Sequence, residues 1–367
     1  MRGRAAASAL VAFVGLASCG GEAGGDRELR RAAEWLWSRQ RDDGSWRSDR
    51  YAVLRSGQAL TPFVLLALLR VPGDVAPPPD GGVERALSFL RRSVDEDGAL
   101  GYADPDVLEY PVYATAAALR CLVLAGEAGD RPAIDAMAGW LAARQRTETN
   151  GFPVSAVAHG GFPFGERGLA PGDPGHVDLS HTRRALEALA AAGRLDDGAR
   201  AAARRFLARH AHPNGGFRSS LVVPAANKGT VDEDGRPGAY ATAACDGLLA
   251  LLAAGASSEE DEFGAARDWL ARRRHLTWPE GIPGGSPWGD ALFFFHLAVR
   301  AEAFAALGGD AASGERIVEL LRARQDADGS FTNRDSPLQK EDEPLLATAH
   351  AVTALACVRA GATVPRP

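Results

Sequence analysis

Three residues at one helix start offer the clearest chemistry. His176, Asp178 and His181 stand close together at the head of the run HVDLSHTRRALEALAAAG. Asp178 or Ser180 can cap that helix, satisfying orphan N–H groups for about 1 kcal/mol. The same carboxylate between two imidazoles can instead hold a ligand or move a proton. Both readings stand, so Asp178, His181 and His176 are the candidate catalytic residues. Asp342 and Glu343 precede Pro344 at another helix start, an arrangement any first helical turn favours. Lys228 occupies the longest polar loop, where it can meet an anion or neighbouring acids. Trp288 and Asp290 open a segment that continues Phe293-Phe294-Phe295-His296. Such a run either lines a cavity, with ring faces that stabilise cations, or fills a core. Tyr113 and Tyr240 each lie two residues before a Thr and are expected to face inward. With Lys228, Trp288, Asp290, Phe294, Asp342 and Glu343 they are the candidate ligand-binding residues. His296 and His350 lie mid-helix and read as core. Cys121, Cys245 and Cys357 lie among Leu, Ala and Val and read as inert buried thiols. Asp232-Glu233-Asp234 reads as a solvated turn.

The elements that position these residues come as six helix pairs. Residues 31–46, RAAEWLWSRQRDDGSW, run as an amphipathic helix into a tight Asp-Gly turn and stop on an aromatic. The pattern returns at 85–102, 136–152, 201–217, 265–283 and 316–331; in the third copy Gly151 and Phe152 close it. After each copy comes a second, more apolar helix ending near a Gly. Repeats of 40 to 60 residues cover one another's apolar faces. Strand-like alternation is almost absent, so the class is all-α, and six pairs close naturally into an (α/α)6 toroid. The charged first helices belong outside and the apolar second helices inside. The outer-to-inner loops are the long ones, notably 151–176 and 218–237. They gather at the end where the inner helices begin, and that end should carry function.

The formal charge of −6 argues against a nucleic-acid partner, which needs a basic surface. Arg2 and Arg4 lead an apolar run, residues 5–16, too short to span a bilayer. Leu16-Ala17-Ser18-Cys19-Gly20 resembles a bacterial lipobox. It implies a signal peptide over residues 1–18 and a lipidated Cys19 on a flexible tether over 19–25. The toroid domain is then 26–361 and the tail 362–367. A cell-envelope location, with the membrane reached through the lipid anchor, follows as an expectation; the periplasmic face of an outer membrane fits Gly20.

Arg31, Ala32, Trp35, Leu36, Gln40, Gly44 and Trp46 together resemble the QW repeat of squalene-hopene and oxidosqualene cyclases, whose toroid protein prenyltransferases share. The likeness covers nearly all of residues 26–361 and implies the fold more than an activity. Cyclases of that family carry Asp-x-Asp-Asp-Thr-Ala, the middle Asp being the proton donor. Here Asp178 falls on the first Asp and Thr182 on the Thr, while Ser180 takes the donor position and His181 the last Asp. Prenyltransferase zinc ligands would fall on Gly238, Tyr240 and Ala347, and no zinc site or other cofactor is implied. The segments around 176–189, 214–251 and 328–349 resemble bacterial prenyltransferase/squalene-oxidase-repeat lipoproteins. The expected function is binding of an apolar or isoprenoid-like ligand in a central cavity. A non-standard terpene cyclase or transferase using Asp178, and a scaffold for protein partners, are the alternatives.

Overall fold

The computed structural model describes residues 24–363 except 234 and 310, the last two residues in backbone only. Cys19, the signal sequence, most of the tether, Asp234 and residues 364–367 lie outside the described residues. Among those described, thirteen α-helices follow one another. They are α1 (Asp26–Ser38), α2 (Leu60–Leu68), α3 (Gly82–Ser93), α4 (Pro111–Ala125), α5 (Arg131–Arg144), α6 (Leu179–Ala191) and α7 (Asp197–His210). Then come α8 (Ala241–Ala253), α9 (Asp261–Ala271), α10 (Pro287–Ala291), α11 (Phe293–Ala306), α12 (Ala311–Arg322) and α13 (Pro344–Thr363). Two short strands, β1 (Phe162–Pro163) and β2 (Val177–Asp178), pair antiparallel.

Helices α2, α4, α6, α8, α11 and α13 pack each on the next, and α13 returns to α2. That is a closed inner ring. Helices α1, α3, α5, α7, α9 and α12 pack outside it. The expected (α/α)6 toroid is therefore the observed fold. In α1 the stripe Leu29, Ala32, Ala33 and Leu36 is buried while Arg27 and Glu34 are exposed, the pattern of a helix with one covered side. Helix α13 is long and apolar enough to cross a membrane, but it is buried in this ring as the sixth inner helix.

The repeat motif works as a latch between neighbouring pairs. Gln40 donates to the carbonyls of Gly44 (3.2 Å) and Gly82 (2.8 Å), and Arg85 donates to the Gln40 side chain (3.1 Å). Gly44 has φ +88°, and a Cβ there would lie 2.1 Å from the Arg85 carbonyl, so only glycine lets the turn meet the next helix. The last copy closes the circle. Gln325 donates to the carbonyls of Gly329 and Glu28, and Arg31 reaches back to Gln325 and the following turn.

Three sequence expectations need correction. In the third copy the latch is not Gly151-Phe152. Gln145 donates to the carbonyls of Gly160 (3.1 Å) and Ala199 (3.0 Å), and the Phe162 N–H donates to Thr182 Oγ1 as Trp46 does to Thr61. Fourteen residues, 146–159, separate Gln145 from Gly160 where three separate Gln40 from Gly44, so the turn carries an insertion, and a Cβ on Gly151 would meet nothing within 4 Å. The fifth inner segment is broken at Leu292 into α10 and α11. Nor is the inner ring apolar all round. At its centre Arg183, 1% exposed, is paired with Glu187 (2.7 Å), Asp246 (2.9 Å) and Glu302 (2.5 Å). Arg70 pairs with Glu302 and Arg120 with Glu187. An ionic plug thus fills the ring's middle.

Candidate functional site

Above the plug, where the inner helices begin, lies a cavity of about 610 Å³. The first turns of α2, α4, α6, α8, α11 and α13 form its wall, and the long outer-to-inner loops form its rim. The wall is largely apolar and aromatic: Leu60, Phe63, Tyr113, Phe164, Tyr240 and Phe295. Arg184, Asp246 and His350 make the floor, so His350 borders the cavity rather than lying in a closed core. Burial pushes the His350 imidazole down to about 3, which keeps it neutral. Burial likewise pushes the Asp246 carboxyl up, against the pull of Arg183.

The polar side of the cavity is built on the start of α6. β2 runs directly into that helix, and Asp178 caps it by accepting the His181 N–H at 2.8 Å. The capping reading is therefore correct, and it does not exhaust the residue. The imidazole of His181 sits 2.8 Å from one oxygen of Asp178, and Nε2 of His176 sits 3.1 Å from the other. Burial opposes a charge on Asp178, but His181, the two imidazole contacts and the backbone N–H overcome it and hold the carboxyl well below the usual range. The hydrogen bond to Asp178 raises His176 above its ordinary value. Ser180 is paired with the Tyr113 hydroxyl. Tyr113 and Phe164 set their rings edge-on to His181, with centroids 4.8 and 5.4 Å away.

Lys228 faces this cluster across the rim. Its Nζ donates to the Ala226 carbonyl at 2.6 Å and lies 4.4 Å from the Trp288 ring centre. Burial lowers its pKa, with Asp178 pulling the other way. Lys340 is the second rim cation, with Nζ 5.8 Å from the Tyr110 ring centre. These are the only two lysines in a chain with 41 basic residues, and both line the cavity. Tyr110 and Lys340 are also the two non-glycine residues with positive φ among the described residues, at 50° and 59°. Backbone held in that region costs roughly 1–3 kcal/mol and clusters at ligand clamps. The sequence held a signal for Lys340 in its rarity; nothing in the pattern singled out Tyr110.

Of the candidate residues, the structure gathers His176, Asp178, His181, Tyr113, Tyr240, Lys228 and Trp288 around one cavity. Four others fall elsewhere. Phe294 is fully buried against Phe293 and Phe331, and its neighbour Phe295 takes the cavity position. Asp290 is exposed, and its carbonyl accepts from Asn333. Asp342 accepts from the Tyr51 hydroxyl (2.6 Å) and pairs with Arg50, while Glu343 holds Ser48. Those two acids tie the first long loop to α13. Cys121 and Cys245 are buried and Cys357 partly so; all are free thiols, pushed by burial to about 12, 11 and 11. The positions that hold zinc in prenyltransferases offer no ligand set here: Gly238 has no side chain and Ala347 is a buried methyl.

A ring of six helix pairs, latched by Gln and Gly and open to a loop-rimmed cavity at one end, defines a class of α/α toroids. The chain belongs to the prenyltransferase α/α-toroid family, whose model matches residues 3–153 and 155–291. No curated protein matches the sequence significantly. Among solved structures the chain is similar to a variant of the type II terpene cyclase MstE from Scytonema in complex with geranylgeranyl dihydroxybenzoate. That likeness has 13% identity and a TM-score of 0.60, over 92% of this chain and 97% of that one. A protein from Actinoplanes gives 19% identity and a TM-score of 0.58, covering 92% and 99%. An α-amylase from Clostridium perfringens gives 10% identity and a TM-score of 0.57, covering 92% and 98%. At these identities the likeness is one of fold.

Proposed function

We propose that the chain binds an elongated amphiphile, with an isoprenoid-like body in the aromatic cavity and an anionic head at the rim. The observation that carries this reading is the placement of both lysines of the chain on the rim of a cavity whose wall is largely apolar and aromatic. A cavity of about 610 Å³ lies in the range of roughly 300–1,000 Å³ that small-molecule sites occupy. Lysine supplies compact point charges suited to a carboxylate or phosphate. The geranylgeranyl dihydroxybenzoate held by the Scytonema enzyme is an amphiphile of this kind and adds support.

Protonation-driven cyclisation is not part of the proposal. Ser180 stands at the donor position, and a hydroxyl does not protonate an alkene. Asp178 is held as a carboxylate by its imidazole and backbone partners, so near neutral pH it carries no proton to give an alkene and stands as a weakly basic anion. The other carboxylate among the described cavity residues, Asp246, is committed to Arg183, which leaves no free acid pair among them for glycoside cleavage. Anchoring through Cys19 at the cell envelope remains part of the proposal on the lipobox alone.

Calorimetric titration with a geranylgeranyl-substituted dihydroxybenzoate tests the reading. The expected result is stoichiometric binding, weakened in Phe295→Ala and Trp288→Ala, with recovered ligand chemically unchanged. Loss of ligand double bonds on incubation, abolished in Asp178→Asn, would establish the cyclase alternative instead.

A further inference from the structure

We infer that His176, Asp178 and His181 form a binding site for one divalent first-row metal ion of the Zn²⁺ type on the cavity wall. One ligand atom from each of the three lies within 4.8 Å of the others. Two imidazoles already converge on the two oxygens of one carboxylate, at 2.8 and 3.1 Å. Two His nitrogens and a carboxylate oxygen are a donor set that zinc and its first-row neighbours accept, and such sites leave a position open for water or substrate.

Three features make this more than a helix cap. First, a cap needs one oxygen and one N–H; here the second oxygen and two imidazoles are also brought in. Second, His181 is 6% exposed and lines the cavity: Nδ1 is the nitrogen that faces Asp178 and would hold the ion, while Nε2, on the opposite edge of the ring, has no hydrogen-bond partner among the described residues and is left to a group in the cavity. A buried ring nitrogen left in that state is costly unless something in the cavity meets it. Third, the trio is held from behind. The β1–β2 pairing fixes Val177 and Asp178, and the His176 N–H donates to Glu166 at 2.7 Å. The site is not the zinc site of prenyltransferases, whose positions are occupied by Gly238, Tyr240 and Ala347. The open coordination position would face the cavity, where an oxygen of a bound head group could take it.

The test uses the full-length protein, stripped with EDTA and without added amphiphile, so its outcome is independent of the lipid reading. Zn²⁺ is titrated by calorimetry, and Co²⁺ is followed by its visible absorption as a report of ligand geometry. One equivalent is expected to bind, with Co²⁺ bands of low symmetry. His176 is half-exposed in a loop, and Asp178 is its ring's hydrogen-bond partner, so His176→Ala should keep the fold. Both it and His181→Ala are expected to lose more than the ~10–100-fold that removing an outer-shell partner costs. Exposed His275→Ala is expected to leave binding unchanged. Thermal melting of each variant without metal checks folding. Zn²⁺ affinity equal in the folded wild type and the folded His176→Ala/His181→Ala double variant, or no binding by the wild type, overturns the inference.

Discussion

Lys228 bears the proposal most directly at the scale of single residues. Its ammonium sits above Trp288 and looks across to Asp178, half removed from water. A hydrogen bond to a charged group is worth about 1.5–3 kcal/mol. Lys228→Met should therefore weaken binding of a carboxylate-headed amphiphile about tenfold or more, and leave the matching neutral alcohol nearly unaffected. Parallel titrations of the two ligands check this; equal losses for both would remove the anionic-head claim. A second residue-scale prediction concerns Glu341, fully buried beneath the start of α11. It accepts the N–H groups of Phe294 (2.9 Å) and Phe295 (2.6 Å) and the Asn333 amide (3.0 Å). Burial nevertheless pushes its carboxyl up to about 7. A carboxyl raised in the fold contributes stability that is complete below about pH 4.5 and is lost as pH rises through about 7. The gap in unfolding free energy from urea titration between wild type and Glu341→Gln should therefore shift in favour of the variant across that window, by up to about 3 kcal/mol. Parallel curves would contradict it.

At the scale of elements, the turn that ends each outer helix is the structural unit. Gly160 has φ +89°, and a Cβ there would lie 1.8 Å from the Ala202 carbonyl, whereas Gly151 has φ +91° and open space. Gly151→Ala should cost about 1–3 kcal/mol through backbone strain alone. Gly160→Ala should cost clearly more, because it also pushes α7 off the ring. Thermal unfolding of the two variants decides which glycine is the latch. The contrast also shows how far the sequence could be read. Gln40, Gly44 and Trp46 lie at uninterrupted spacing, so the helix pairs and their closure into a toroid were legible. In the third copy 14 residues, 146–159, separate Gln145 from Gly160 where three separate Gln40 from Gly44, and local spacing favoured the nearer Gly151-Phe152. Site residues at helix starts, such as Asp178 and Tyr113, were legible because the toroid sends those starts to one end. Phe294 and Phe295 differ by 100° around one helix, and the break at Leu292 sets which of them faces the cavity; sequence periodicity did not contain it.

At the scale of the whole molecule, charge buried at the ring centre divides the toroid into two ends. Arg183 joins α6 to α8 and α11, and no linear pattern announces such a network because its members are far apart in sequence. Removing one partner from a buried ion network leaves the others unpaired, at about 3–5 kcal/mol. Arg183→Met should lower stability by that amount in chemical denaturation, and a loss under about 1 kcal/mol would mean that the plug is solvated. The cavity opens at the starts of the inner helices. Gly24 lies at the other end, beside Gly308 and Gly361. If Cys19 anchors the chain, the mouth then faces away from the anchored end, toward whatever delivers or receives the ligand. Occupancy of the cavity separates a ligand-binding toroid from a scaffold. Native mass spectrometry of the full-length protein, purified from its own membrane fraction, addresses it directly. A stoichiometric isoprenoid-like amphiphile is expected, and it should be lost in a Trp288→Ala/Phe295→Ala variant of unchanged melting temperature. A chain that stays at its unliganded mass, even with added polyprenyl carboxylates, would rule out the amphiphile and leave the loop face as a surface for protein partners.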